Sequence, residues 1–402
     1  MNASPGALPV IVCGGGIGGL AAALALVRRG FDVTVLEQAP EIGEIGAGIQ
    51  LGPNAFHAFD ALGVGDKARG RAVYTECMVM HDAIDETLVG RIETGEAFRR
   101  RFGNPYAVIH RADVHLSLLE GAQETGRVRF HTSTRIERIV QDDAARTVTA
   151  IDQNGRCWTG QALIGADGGK SVVRDQYVGD PPRVTGHVVY RAVVDKAAFP
   201  QELRWNAASL WAGPKCHLVH YPLRGGEQYN IVVTFHSRQQ EQWGVTDGSK
   251  EEVESYFQGI CPKARQLIEL PRTWKRWATA DREPIGNWTF GRATLLGDAG
   301  HPTTQYMAQG ACMALEDAVT LGEALRVSGN DWDVALQLYQ NNRVARTARI
   351  VLSGREMGRL YHAAGVERLV RNALWKGRSQ ERFYDAIEWL YGWNVGNCLQ
   401  QG

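Results

Sequence analysis

The apolar and polar positions of the first forty residues predict a strand, a turn, a helix and a second strand. Residues 10–13 form a short apolar run that is typical of a buried strand. Residues 17–29 are rich in alanine and leucine, which favours a helix, and Gly30 follows where a left-handed residue commonly ends one. Residues 31–36 alternate and are rich in β-branched side chains, which predicts a strand. Together these runs predict a strand–helix–strand unit.

The turn that leads into this helix has the pattern G-x-G-x-x-G, formed by Gly14, Gly16 and Gly19. A Cβ atom at the first glycine would clash in the tight turn. One at the second would hold the backbone away from a pyrophosphate, and one at the third would separate helix and strand. The helix N-terminus offers N–H groups to phosphates, and Glu37 is placed to accept hydrogen bonds from an adenosine ribose. These residues predict a dinucleotide site without separating FAD from NAD.

Two later apolar runs also end in acidic turns. Residues 162–165 lead into an Asp-Gly turn at Asp167, and residues 293–296 lead into a Gly-Asp turn at Asp298. A carboxylate at the carboxyl end of a parallel strand lies where such sheets bind ligands. Asp298 is therefore placed to accept hydrogen bonds from the ribityl hydroxyls of a flavin. A second interpretation of Asp167 is that it is a turn residue whose carboxylate accepts hydrogen bonds from the backbone of its own turn.

A further helix is predicted over residues 314–326, after a short segment that contains Gly310 and Ala311. This segment would aim the helix N-terminus at the pyrimidine edge of a flavin. The partial positive charge of that terminus would stabilise the anionic reduced ring. Gly310 and Ala311 are therefore candidate cofactor-binding residues.

The three motifs, in this order and spacing, resemble those of the group A flavoprotein monooxygenases, the p-hydroxybenzoate hydroxylase-like family, over about residues 10–349. The resemblance implies that the glycine turn and Glu37 hold the ADP half of FAD. It implies that Arg111 contacts FAD, that Asp167 serves both FAD and NAD(P)H, and that Asp298 binds the ribityl chain. Because the chain has no second G-x-G-x-x-G, NADH is expected to bind only transiently at the flavin.

The middle of the chain has a different pattern, with short strand-like runs linked by glycine-containing turns, which predicts an antiparallel sheet. In the resembling family such a sheet roofs the active site. The predicted fold is α/β, a Rossmann-like FAD-binding domain with an inserted, mostly antiparallel β-sheet substrate domain and a C-terminal helical segment. The predicted strands are 188–195, 208–212, 217–221 and 229–235. The predicted domains are 1–175 with 282–330 for FAD, 176–281 for substrate, and 331–402 for the helical region.

One of these strands carries candidate catalytic side chains. Alternate residues of a strand share a face, so His217, Val219 and Tyr221 point one way while Leu218 and His220 point the other. The strand advances roughly 13 Å over four residues, so His217 and Tyr221 are placed to reach both sides of one benzene ring. The alternative is a plain sheet face with two half-buried polar residues.

Four further stretches are similar to the branch of the family that converts 3-hydroxybenzoate to gentisate with NADH, FAD and O₂: 104–111, 217–227, 281–285 and 305–310. The similarity implies that His217 and Tyr221 serve the phenolic group and that Tyr106 and Gln305 hold the carboxylate. It also implies hydroxylation para to the phenol by a flavin C4a-hydroperoxide. The similarity to salicylate 1-hydroxylase, which forms catechol, is mostly confined to the FAD motifs. No arginine is identified as the carboxylate anchor.

Composition and charge narrow the possible partners. Lys plus Arg and Asp plus Glu number 44 each, which gives no bias toward nucleic acid or an anionic membrane. The seven cysteines are scattered without a CxxC pair, which fits a reducing cytoplasm. No cluster of His, Cys and Asp has ligand spacing, so no metal site is predicted. The C-terminal helices are expected to pack on the FAD-binding domain or in a homodimer rather than on lipid.

Two other function classes stay open at this point. One is an FAD oxidase or dehydrogenase, whose flavin would be reduced by its substrate rather than by NADH. The other is a redox-sensing flavoprotein without catalytic activity. The polar and aromatic middle sheet favours an enzyme, because a sensor needs no such pocket. The remaining motif histidines, His110, His115 and His301, are interpreted as structural.

Overall fold

The computed structural model describes residues 8–43 and 46–400. Its strands are, in chain order, β1 (Val10–Cys13), β2 (Val33–Leu36), β3 (Gly48–Leu51), β4 (Val73–Tyr74), β5 (Cys77–Asp82), β6 (Leu88–Glu93), β7 (Ala107–His110), β8 (Val128–His131), β9 (Ile136–Asp142), β10 (Thr147–Asp152), β11 (Cys157–Gly160), β12 (Ala162–Gly165), β13 (Arg183–Asp195), β14 (Ala207–Gly213), β15 (Cys216–Leu223), β16 (Gln228–His236), β17 (Gly244–Gly248), β18 (Trp274–Asp281), β19 (Thr289–Phe290) and β20 (Ala293–Leu295).

The α-helices are α1 (Ile17–Arg28), α2 (Pro53–Leu62), α3 (Gly65–Arg69), α4 (Glu96–Phe102), α5 (Arg111–Glu124), α6 (Val172–Tyr177), α7 (Lys250–Tyr256), α8 (Pro262–Glu269), α9 (Gly310–Val327), α10 (Trp332–Tyr361), α11 (Gly365–Trp375) and α12 (Gln380–Tyr391). Two short 3₁₀ turns, Gly297–Ala299 and Gln305–Met307, lie between β20 and α9. Within the described ranges, no helix combines the length and the apolar character needed to cross a membrane.

A six-stranded sheet in the order β19-β20-β12-β1-β2-β8 holds the predicted nucleotide-binding unit. Five of its strands run parallel to one another: β1, β2, β8, β12 and β20. The edge strand β19 runs antiparallel to β20. The four residues of β1 are buried, as the apolar run predicts. Because the strands are parallel, the carboxyl ends of β1, β12 and β20 meet at one edge, which is where the three predicted motifs begin.

An eight-stranded sheet in the order β17-β18-β13-β16-β15-β14-β5-β6 forms the second layer. All its pairs are antiparallel except β14 with β5. The predicted sheet is thus confirmed, and each predicted strand is longer by two to five residues. β5 and β6 come from the segment before residue 100, so this sheet does not belong to the middle segment alone. The predicted domain boundaries stay a prediction.

The C-terminal region is helical. Asp331 begins α10 by accepting hydrogen bonds from the backbone N–H groups of Asp333 (2.9 Å) and Val334 (3.4 Å), which satisfies two of the four free donors at that terminus. α10 packs along α9, and both α11 and α12 contact β6. The cavity described below lies between the two large sheets and this helical layer.

Candidate active site

A cavity of about 1700 Å³ lies between the edge of the six-stranded sheet and one face of the eight-stranded sheet. Every site residue predicted from sequence lines it, apart from Gly19. They are Gly14, Gly16, Glu37, Tyr106, Arg111, Asp167, His217, Tyr221, Asp298, Gln305, Gly310 and Ala311. Residues that are nearly 300 positions apart in sequence therefore surround one space.

The glycine turn after β1 has no room for side chains. Gly14 has φ of +104°, and a Cβ atom there would lie 2.3 Å from the carbonyl oxygen of Ala166. A Cβ atom at Gly19 would lie 1.9 Å from the carbonyl oxygen of Gly14. Gly19 therefore acts as predicted for the third glycine: it lies outside the cavity and lets α1 approach the turn closely.

Glu37 holds this turn in place. Its two carboxylate oxygens accept hydrogen bonds from the backbone N–H groups of Gly15 (2.7 Å) and Ala39 (2.8 Å). A carboxylate has about four acceptor positions, so Glu37 retains capacity for a ribose while it lines the cavity. His115 donates from Nε2 to the carbonyl oxygen of Gly15 (2.8 Å), which agrees with its structural interpretation.

Asp167 caps α6 and faces the cavity at the same time. Its carboxylate accepts hydrogen bonds from the hydroxyl of Ser171 (2.5 Å) and from the backbone N–H groups of Val172 (2.8 Å) and Val173 (3.2 Å). Burial raises the pKa of Asp167, against the lowering effect of these donors. The structure therefore shows the local turn interpretation and a cavity position together. Arg174, fully buried on α6, donates to the carbonyl oxygen of Gly300 (2.6 Å) and so ties this motif to the third one.

Asp298 lies beside the N-terminus of α9. It is exposed to the cavity in the 3₁₀ turn after β20, and a Cβ atom at Gly310 would lie 3.9 Å from its Oδ1. α9 begins at Gly310, four residues before the predicted start, and its N-cap residue, Gln309, forms no side-chain capping bond within the described part of the chain. The free N–H groups and the positive end of the helix dipole therefore face the cavity beside a carboxylate.

Two buried acids on α9 fix this arrangement, and the sequence analysis did not identify them. Asp317 accepts hydrogen bonds from the backbone N–H of Gly297 (2.9 Å) and from Nε2 of His301 (2.6 Å), and it pairs with Arg343 (2.6 Å). Glu316 pairs with Arg343 and with Arg346, each at 2.7 Å. Asp317 thus positions the turn that carries Asp298, and His301 is structural, as predicted.

These residues fit FAD. The glycine turn presents bare backbone to the cavity, because Gly14 has no room for a side chain, and Glu37 lies beside it. Asp298 and the open N-terminus of α9 lie at the far end of the same cavity. Arg111 starts α5, and its backbone N–H donates to the carbonyl oxygen of Ala47 (3.1 Å), which holds the residue at the cavity wall. The adenosine would lie at Glu37 and the flavin ring beside α9.

The face of the eight-stranded sheet that roofs the cavity follows the predicted alternation. His217, Val219 and Tyr221 of β15 line the cavity. Leu218 packs in the core on the other face, and the His220 ring lies 5.7 Å from the ring of Phe199 there. The prediction that His220 points away from the cavity is confirmed. In the neighbouring strands, β13 and β16, the cavity-facing side chains align with those of β15 in rows.

His217 and Tyr221 are both buried and differ in their partners. Nδ1 of His217 lies 2.8 Å from Nε2 of His362, and burial, with nearby His187, lowers the pKa of His217 to about 3, so the ring is neutral. Burial raises the pKa of Tyr221, whose cross-strand partner on β16 is Asn230. The Asn230 Oδ1 in turn accepts from the backbone N–H of Gly48 (2.8 Å).

Tyr106 and Gln305 lie at opposite ends of the cavity-facing stretch of β15 that runs from His217 to Tyr221. Tyr106 packs in one cluster with Tyr221, and its hydroxyl donates to the Gln50 side chain. Gln305 donates from Nε2 to the hydroxyl of Thr234 (3.3 Å), and Thr234 is the cross-strand partner of His217. The structure therefore does not bring Tyr106 and Gln305 to the same end of the cavity.

Arg191 is a cavity residue that the sequence analysis missed. It lies on β13, aligned with Val232 of β16 and Val219 of β15, midway between the rows of His217 and Tyr221. Within the described part of the chain it forms no ion pair, and its buried Nε has no hydrogen-bond partner. Burial lowers its pKa, because a cation loses water there. A signal existed in the sequence, since one arginine interrupts an apolar strand.

Comparisons with known proteins identify the family. The sequence profile of the FAD binding domain family matches residues 7–353. A protein of Polaromonas naphthalenivorans (strain CJ2) named 3-hydroxybenzoate 6-hydroxylase is 80% identical over 99% of both chains. One of the same name from Klebsiella oxytoca is 63% identical over 97% of this chain and 98% of that one.

Solved structures show the same fold. Klebsiella pneumoniae HpxO complexed with FAD and uric acid matches with a TM-score of 0.83 and 26% identity, over 97% of this chain and 98% of that one. A salicylate hydroxylase substrate complex matches with a TM-score of 0.82 and 25% identity, over 99% and 98%. The chain belongs to the FAD binding domain family and is an FAD-dependent monooxygenase of the group A flavin hydroxylases.

Proposed function

We propose that this protein hydroxylates 3-hydroxybenzoate at the carbon para to its hydroxyl group, giving gentisate, with NADH as the reductant and O₂ as the oxidant. The observation that carries the proposal is the pattern of the cavity-facing roof: Arg191 of β13 lies in the row between those of His217 and Tyr221 of β15. The name of the 80% identical relative supports the same substrate. When bound and reduced, FAD supplies the activation of O₂.

The spacing of the row suits a ring with two substituents. The row of Arg191 lies roughly 7 Å along the strands from the row of His217, and β13 lies two strands, roughly 10 Å, to the side of β15. A long arginine side chain on β13 would therefore meet the carboxylate of a ring whose meta hydroxyl lies at His217. The hydroxyl would lie at His217 and the carboxylate toward Arg191. In this assignment the carboxylate of the substrate pairs with the buried Arg191, which has no ion-pair partner among the described residues.

His217 orients and polarises the phenol. A free phenol has a pKa near about 10, by analogy with tyrosine, and its para carbon becomes more nucleophilic as the proton is drawn away. Because Nδ1 of His217 faces His362, its Nε2 is the nitrogen left to accept the phenolic proton. The two rings then form a path along which that proton can move away from the substrate.

The rest of the roof keeps water from the reacting ring. Its cavity-facing side chains are predominantly apolar: Met78, Met80, Ile92, Ala208, Leu210, Val219 and Val232. An oxidant held in such a site is protected from wasteful breakdown to H₂O₂. Tight coupling of NADH oxidation to product is therefore part of the proposal.

The test is aerobic turnover of the purified flavoprotein with NADH and 3-hydroxybenzoate, salicylate or neither, with products separated by chromatography. We expect rapid NADH loss and gentisate only with 3-hydroxybenzoate. Catechol from salicylate would instead identify a salicylate 1-hydroxylase. No stimulation by any hydroxybenzoate would overturn the substrate class and favour an oxidase or a sensor. The predicted homodimer and cytoplasmic location stay predictions.

A further inference from the structure

Three histidines converge at one end of the roof, on the same face of the eight-stranded sheet as His217. His187 lies on β13, His236 is its cross-strand partner on β16, and His362 ends α10. Each offers a ring nitrogen, and the three nitrogens all lie within 4.8 Å of one another. Their sequence separations of 49 and 126 residues have none of the spacing of a metal motif, which is why the sequence predicted no metal site.

We propose that His187, His236 and His362 bind one divalent transition-metal ion of the zinc class. Neutral imidazole is a preferred ligand of Zn²⁺, Ni²⁺ and Cu²⁺. Three imidazole ligands with a fourth position left to water make a known zinc geometry.

The side chains suit this role individually. His362 is buried, and its Nδ1 has no hydrogen-bond partner among the described residues. Nδ1 of His187 is paired with the hydroxyl of Tyr306, which leaves its Nε2 for a ligand and orients the ring, as second partners of metal-binding histidines do. His236 is exposed and so gives an ion a path from solvent. Zinc bonds of about 2.0–2.1 Å place ligand nitrogens roughly 3.4 Å apart, so a bound ion would draw the three rings closer together than the 4.8 Å within which their nitrogens now lie.

Two contacts connect the three-histidine site to the substrate cavity. His362 bonds His217 through Nε2 (2.8 Å), and Tyr306, the partner of His187, itself lines the cavity. A bound ion fixes the rings of His187 and His362. It also withdraws electron density from the imidazole of His362, which bonds His217. Metal occupancy therefore slows hydroxylation. This second part rests on the proposed function, whereas metal binding itself does not.

The binding test uses the FAD-loaded protein after treatment with a chelator. Zn²⁺ is titrated in competition with a chromophoric chelator, and Co²⁺ is added separately to read ligand-field absorption beyond the flavin bands. We expect one ion per chain. His236→Asn, a substitution at an exposed position, should weaken binding at least about tenfold, the lower end of what loss of even an outer partner costs. His131→Asn, at a partly exposed histidine on β8, is the matched control and should leave the affinity for Zn²⁺ unchanged. Absence of a one-to-one site, or equal loss in the two variants, would overturn the proposal.

The coupling test measures gentisate formed per NADH with and without saturating Zn²⁺. In the unchanged protein we expect a lower yield with Zn²⁺ and recovery after EDTA, while His236→Asn should resist the inhibition. Equal inhibition of both proteins would overturn the coupling. If no hydroxybenzoate is hydroxylated at all, the proposed function fails, and the titration still decides the metal site.

Discussion

Nδ1 of His217 lies 2.8 Å from Nε2 of His362, so the end of a thirty-residue helix meets the sheet that roofs the cavity. The contact joins residues that are 145 positions apart. It gives the candidate catalytic ring a fixed orientation, because one nitrogen is held by His362 and the other is directed toward the substrate space. The C-terminal helical layer is thereby part of the active site rather than only a cover for it.

Replacing His217 should separate hydroxylation from NADH oxidation. His217→Ala removes the acceptor for the phenolic proton but none of the residues assigned to FAD. We expect the flavin content to stay unchanged, gentisate formation to fall by about two orders of magnitude or more, and NADH oxidation to yield H₂O₂. Product analysis with a peroxide assay measures both. His131→Ala is the control, and full hydroxylation by His217→Ala would remove this residue from the mechanism.

Replacing Arg191 should weaken binding of the carboxylate. Hydrogen bonds to charged groups contribute about 1.5–3 kcal/mol, so Arg191→Gln should raise the Kd of 3-hydroxybenzoate roughly 10- to 100-fold. The Kd is read from the change in flavin absorption on titration.

The matched ligand for this experiment is 3-hydroxybenzyl alcohol, which lacks the carboxylate. Its affinity should change little between the unchanged protein and Arg191→Gln. An equal loss for both ligands would show that Arg191 supports the shape of the pocket or the flavin and does not bind the carboxylate.

Adding one methyl group to the glycine turn should abolish FAD binding. At Gly14, alanine would meet the carbonyl oxygen of Ala166 at 2.3 Å and would adopt a φ of +104°, which L-residues rarely adopt. Gly14→Ala should therefore be purified largely without FAD, measured by the ratio of flavin to protein absorbance. Gly286→Ala, where a Cβ atom meets nothing within 4 Å, should retain full flavin content. A fully loaded Gly14→Ala variant would contradict the assigned pyrophosphate site.

The network around Asp317 predicts a specific loss of stability in acid. Burial favours the protonated form, but His301 and Arg343 outweigh it and lower the pKa of Asp317 to about 2. In the unfolded chain an aspartate has a pKa of about 3.9. Its stabilising contribution, on the order of 2 kcal/mol, is therefore complete above about pH 4 and is lost as the pH falls through 2.

Urea unfolding of Asp317→Asn should show a free energy of unfolding lower by roughly 3–5 kcal/mol at neutral pH, because a buried arginine loses a partner. The difference from the unchanged protein should shrink as the pH falls below about 4. Asp247→Asn is the control, since Asp247 pairs with Lys275 at the surface (side chains 86% and 57% exposed), where such pairs contribute about 0–1 kcal/mol. Equal stability of the two variants would contradict the positioning role of Asp317.

The parts of the fold that depend on local pattern could be predicted from the sequence. The strand–helix–strand unit, the two later Asp-containing turns and the alternation of β15 follow from residues that are neighbours in the chain. These patterns also located the cavity, because parallel strands bring their carboxyl ends to one edge. The early start of α9 could not be predicted, since Gly310 is a poor helix former and the helix is stabilised there by packing.

The parts that depend on distant contacts could not be predicted. Nothing in the local sequence of His362 indicates that it meets His217, and Asp317 looks like an ordinary helix residue until Arg343 and His301 are placed beside it. β5 and β6 join the roof from a segment that belongs by sequence to the FAD-binding half. Arg191 gave a usable signal, a charge within an apolar strand, because an unpaired charge in such a strand is costly unless a ligand meets it.

The most direct test of the central claim is the product of aerobic turnover under ¹⁸O₂. With NADH and 3-hydroxybenzoate, mass spectrometry should find gentisate that carries one ¹⁸O atom, on the carbon para to the original hydroxyl. A dihydroxybenzoate oxygenated at another carbon would contradict the orientation given by His217 and Arg191. Labelled H₂O₂ without any hydroxylated product would contradict the assigned hydroxylase activity itself.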